Sequence, residues 1–105
     1  MTKRYTNKKH SLWIAEQGCI LEGHGQCDGG IQGHHLMKPW HGVRGTGLRA
    51  NDKNLVPLCA GHHRALHAAG NEDLYFENLT GHPSTGKNSA QFKWLGSPHY
   101  EPEET

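Results

Sequence analysis

Leu, Ile, Val and Phe supply only 17 of the 105 residues. A chain of one domain's length, near ~100–150 residues, normally closes around an apolar core. This one has too little of it to do so unaided, and small scaffolds in that position need staples. Leu, Ile, Val and Phe below ~20% signals disorder only when joined to a high net charge. Here 11 Lys and Arg face 10 Asp and Glu, for a net charge of +1. The excess lies elsewhere, in ten His, three Cys and fourteen Gly. A thin core with surplus His and Cys points to a small domain held partly by metal.

Several classes are excluded early. No apolar run approaches the ~18 residues of a membrane span. The opening MTKRYTNKKH is basic, but no apolar stretch of the secretory type follows it. Three Cys is an odd count, which disfavours a closed disulfide framework and favours thiolate ligands in a reducing compartment. The expected location is therefore the cytoplasm, with no membrane contact. Residues 1–9 read as a flexible basic arm carrying Lys3, Arg4, Lys8 and Lys9, residues 10–96 as one domain, and residues 97–105 as a loose acidic tail.

Turn and cap residues divide the domain. Ser11 is placed to cap a short helix running to Gln17, with Gly18 ending it. Residues 19–30 form a Gly-rich loop and residues 31–37 a short strand. A long Gly-rich, basic loop covers 38–53. Residues 54–59 form a second strand, which Pro57 confines to an edge. Residues 60–69 read as a helix stopped by Gly70. Residues 73–79 and 87–96 read as two further helices.

Two constellations carry chemistry. Cys19, Cys27 and Cys59, with His62 in C-x2-H spacing after Cys59, supply the donors of a closed tetrahedral zinc site. His24, in the first loop, competes for the fourth position. In the second constellation His63 and His67 stand four apart on the expected helix, so they share a face and can bind one cation together. His34 and His35 are neighbours on a strand and point to opposite sides. One can bind metal while the other faces a substrate, and an imidazole with an ordinary pKa of ~6.5 suits a general base. The loop 38–53 holds Lys38, Arg44, Arg49 and Lys53 against one acid, Asp52, and Arg64 follows on the helix. Such a set suits phosphate contacts, which are salt-dependent and carry little sequence information.

The ordered set G33-H34-H35-L36, N54-L55-V56-P57-L58-C59 and H62-H63-R64-A65-L66-H67 resembles the HNH (His-Me finger) endonucleases. Within them it is most similar to small phage and prophage proteins such as the recombination-enhancement-function (Ref) group. The resemblance covers about residues 10–75. It implies an α+β fold with a small ββα-metal core, flanking helices and a zinc knuckle. It implies that His35 is the general base, that Asn54 braces the loop and orients the base, and that His34, His63 and His67 hold a divalent cation (Mg²⁺, Mn²⁺ or Zn²⁺). Cys59 and His62 match a knuckle half that many members write as CxxC. Many members also carry Asp where His34 stands. With H-x3-H closing the cation site, His62 falls to the structural zinc. The implied activity is hydrolysis of DNA phosphodiester bonds, with DNA as partner and phage recombination or packaging proteins as possible associates. The alternative is a non-catalytic, zinc-stabilised nucleic-acid-binding module. A purely structural metalloprotein is the third reading.

Overall fold

The computed structural model describes residues 4–42 and 49–102. Helix α1 (Lys8–Ala15) is followed by strand β1 (Ile31–His35), strand β2 (Leu55–Cys59) and helices α2 (Ala60–Ala69), α3 (Glu72–Thr80) and α4 (Thr85–Leu95). Among the described residues the fold is a small α+β arrangement: one antiparallel two-stranded sheet with four α-helices. His34 stands opposite Val56 and His35 opposite Leu55. No helix among the described residues is long and apolar enough to cross a membrane.

The expected elements are present, with shifted edges. Helix α1 starts three residues before Ser11, because Asn7 is the cap: its side chain accepts the His10 N–H at 3.0 Å. That start puts His10 and Ile14 one turn apart on the buried side. Strand β1 ends at His35 rather than at residue 37. The Leu36 N–H donates to the Asn54 carbonyl, and the Met37 and Lys38 N–H groups turn to the Glu72 carboxylate, leaving no ladder to continue. Pro57 sits in β2 opposite Gly33, and its carbonyl accepts the Ile20 N–H. Gly70, at φ 79°, closes α2 in the left-handed conformation where a side chain would be strained.

The core is one cluster built from Leu21, Leu36, Val56, Leu58, Leu66, Phe76 and Ala90, with Cys19 and Cys59 inside it. Gly86 lets α4 lie against α3: a Cβ there would stand 2.6 Å from the Phe76 ring.

Described segments near the two ends of the chain meet each other. Residues 4–7 and 97–101 were expected to be loose, yet both make specific contacts. The Tyr5 carbonyl accepts the Asp52 N–H, and Asn7 donates from Nδ2 to the His99 carbonyl. The Tyr5 hydroxyl donates to Glu101, and Tyr100 stacks near Trp94. The reason is that His10 and Trp94 form a buried aromatic pair, with centroids 4.9 Å apart, against which Tyr5 and Tyr100 pack from the Trp94 side.

His10 has a consequence for acid stability. It is fully buried; Nδ1 lies 2.9 Å from Ser97 Oγ, and Nε2 has no hydrogen-bond partner among the described residues. Burial, with His99 adding to it against Asp52, lowers its pKa from 6.5 to about 4. The unfolded chain therefore takes this proton first, near 6.5, so the folded state loses stability as pH falls from there toward 4. Between pH 7 and pH 5 the loss is on the order of 2 kcal/mol. Denaturant unfolding at both pH values should show His10→Leu losing less stability than the wild type; identical losses would exclude His10 as the source.

Candidate metal centres and cleft

The knuckle assembles around the start of α2. Cys59 ends β2 and caps α2, with its Sγ accepting the His62 N–H at 3.4 Å and the Asp28 N–H at 3.5 Å. The loop carbonyls of Gly30 and Asp28 accept the Ala60 and Gly61 N–H groups, which stitches the loop to the helix start. His62 Nδ1 then lies 3.2, 3.6 and 3.8 Å from the sulfurs of Cys59, Cys19 and Cys27. A tetrahedral zinc with bonds of ~2.3 Å to sulfur and ~2.0 Å to nitrogen needs such edges of roughly 3.5 Å. The Cys₃His cluster is thus at metal-binding distance and compatible with a structural zinc.

His62 Nε2 lies 3.1 Å from the His24 carbonyl, so Nε2 carries the proton and Nδ1 is free to ligate. The imidazole of His24 faces the Leu79 carbonyl instead, outside the cluster. Burial opposes ionisation of Cys59, but the backbone N–H groups of His62 and Asp28 outweigh it and, with Cys27 and the His62 ring, hold the thiol down to about 6. Burial, then Cys59 and Cys19, push the Cys27 thiol up to about 12, so Cys59 is the thiol of this pair that ionises first.

The second cluster joins β1 to α2. His34 Nδ1 lies 3.2 Å from His63 Nε2, and His63 Nε2 lies 3.0 Å from His67 Nε2. Their outer partners decide where the protons sit. His34 Nε2 is 2.7 Å from the buried Glu72 carboxylate, which only accepts, so Nε2 is the protonated nitrogen. His63 Nδ1 is 2.6 Å from Gln32 Oε1 and donates there. The remaining nitrogens, His34 Nδ1 and His63 Nε2, therefore present lone pairs to each other. One proton on His67 can satisfy only one of them; a cation satisfies all three nitrogens at once. Burial, then His34 and His67, lowers the pKa of His63, which favours the neutral ligand form.

His35, on the opposite side of β1, lies outside this tripod. Its Nε2 is 2.8 Å from Asp52 Oδ1, while Asp52 Oδ2 accepts the Asn7 N–H. Burial works to raise the pKa of Asp52, but His35 and that N–H win and lower it. The same balance lowers Glu72, where His34 and the N–H groups of Met37 and Lys38 overcome burial. Asn54 is fully buried. Its Oδ1 accepts the N–H groups of Trp40 and His41, and its Nδ2 donates to the His41 carbonyl, so it pins the start of the long loop.

A cleft of about 260 Å³ is lined by His34, His35, His63, His67, Arg49 and Met37, among others. Of the basic residues expected to meet phosphate, Arg49 is there. Lys38 is exposed and pairs with Asp73, and Arg64 pairs with Asp28 on the open surface. Lys53 does not face solvent as expected. It is buried, with Nζ over the rings of Tyr5 and Trp94, because the turn Asp52–Asn54 directs it inward. Arg44 lies outside the described residues. Glu72, Asp52 and Gln32 were not singled out from the sequence as site residues, and each bonds to a histidine of the cleft. Asp52 had one signal, as the only acid in a basic loop; Glu72 had none, since an acid in a helix first turn is ordinary.

Residues 1–85 match a family model described as a protein of unknown function (DUF968). The chain belongs to this family. A relative within reach of comparison is the uncharacterized protein YdfU of Escherichia coli (strain K12), 34% identical over 79 residues, which is 73% of this chain and 21% of that protein. The chain thus spans about a fifth of the length of the curated relative it matches. No solved structure matches the chain. The family match extends over both metal clusters and ends at the first residue of α4.

Proposed function

We propose that this DUF968 chain is a metal-dependent endonuclease of the HNH type, hydrolysing DNA phosphodiester bonds. The carrying observation is the His34–His63–His67 tripod, whose outer partners turn lone pairs inward, with His35 free of it in the same cleft. The order of two antiparallel strands leading directly into a helix, with Asn54 pinning the intervening loop, supports the same reading.

In this mechanism His35 accepts the proton of the attacking water, and Asp52 holds the ring and stabilises the charge it gains. His34, His63 and His67 hold the divalent cation (Mg²⁺, Mn²⁺ or Zn²⁺). When bound, that ion supplies Lewis-acid stabilisation of the scissile phosphate and of the departing 3′ oxygen. Arg49 meets the phosphate backbone at the cleft edge. The products are 5′-phosphate and 3′-hydroxyl ends.

Supercoiled plasmid incubated with the protein and Mg²⁺ or Mn²⁺ should be nicked or linearised, and a chelator should stop the reaction. DNA retardation in gels at low salt, without cutting under any of these ions, would replace the nuclease by the non-catalytic binding module.

A further inference from the structure

We propose that Glu72 is a positioning residue: it selects the His34 tautomer that turns Nδ1 into the tripod, and it ties that ligand to the start of the basic loop. The inference rests on the reading of His34, His63 and His67 as a cation site.

Glu72 is 2% exposed and stands in the first turn of α3, outside every element that carries the tripod. Three donors converge on its two oxygens. His34 Nε2 is at 2.7 Å and the Met37 N–H at 3.0 Å from Oε1, and the Lys38 N–H is at 3.0 Å from Oε2. The last two belong to the point where β1 gives way to the long loop. A carboxylate can accept all three bonds. It thereby forces the proton onto His34 Nε2 and leaves Nδ1 basic and aimed at His63. Carboxylate partners of ligating histidines raise their basicity, and their loss typically costs about 10–100-fold in metal affinity. Gln32 does the same for His63 from β1, through a neutral amide.

An amide at position 72 can keep its oxygen on His34 and Met37, but its NH₂ end then faces the Lys38 N–H, and the carboxylate charge behind His34 is gone. Glu72→Gln should therefore weaken cation binding at the tripod while the knuckle, built on other residues, keeps its zinc.

The test uses full-length protein carrying one equivalent of zinc, titrated calorimetrically with further Zn²⁺. The wild type should take a second equivalent, His63→Ala should not, and Glu72→Gln should take it about 10–100-fold more weakly. Nitrogen-15 shifts of the His34 ring before the second equivalent should report the Nε2–H form in the wild type, a readout that does not depend on the variant folding. Equal second-site affinity in Glu72→Gln, or an Nδ1–H ring in the wild type, overturns the proposal and leaves the cation site standing. A wild type that takes no second equivalent overturns both.

Discussion

His35→Ala is expected to cut plasmid DNA about 10²–10⁴-fold more slowly than the wild type, the usual contribution of a positioned general base. The expectation depends on His35 being separable from the metal centres. Its ring bonds to Asp52 and to no member of the tripod, and it is not among the knuckle donors. The side chain lines the cleft, so its removal widens the cleft rather than opening an enclosed cavity. Asp52 keeps the Asn7 N–H after the substitution, so its buried carboxylate is not stranded. The variant should therefore retain its circular dichroism spectrum and both metal equivalents while losing turnover. The check is a single-turnover cutting assay alongside elemental analysis. Equal cutting by His35→Ala and wild type removes the mechanism, whatever the metal content. Loss of the second metal in His35→Ala would place His35 in the tripod instead.

Much of this arrangement was readable from local chemistry. The helix at 60–69 follows from its Gly70 stop, and the one-face placement of His63 and His67 follows from spacing alone. The opposite placement of His34 and His35 follows from strand alternation. What escaped reading depends on contacts between residues distant along the chain. The C-x2-H spacing favours His62 over His24 for the knuckle, but the long-range contact that keeps His24 out is not visible in it: the His24 carbonyl, not its ring, meets the His62 ring. Lys53 looks like a phosphate contact among Arg49, Asp52 and Asn54, but its fate is set by Tyr5 and Trp94, 48 and 41 positions away. Glu72 reaches His34 across 38 positions, and only the tertiary placement of α3, packed on α2 and α4, brings them together. Ligand types and periodicity are local properties; the partners that set tautomer and charge are tertiary ones.

The same separation of local and tertiary roles governs what zinc removal does. Residues 16–30 hold no helix or strand, and they are fastened to the rest chiefly through Cys19, Cys27, a few loop carbonyls and Leu21. Cys59 is at once the last residue of β2, the cap of α2 and the most enclosed sulfur of the knuckle. Releasing a zinc held there would therefore loosen the loop, the strand end and the helix start together. Structural zinc contributes about 10–16 kcal/mol in small domains, against a typical net stability of about 5–15 kcal/mol. With so sparse an apolar cluster, the chain should unfold when zinc is withdrawn. Cys59→Ser, or a strong chelator added to the wild type, should abolish the cooperative thermal transition and most of the helical circular dichroism signal. His63→Ala combined with His67→Ala empties only the tripod and should keep the transition, because neither residue belongs to the buried core. Helical signal that survives chelation unchanged would show that the apolar cluster suffices alone. Collapse of the His63→Ala, His67→Ala chain would move the structural burden from the knuckle to the tripod.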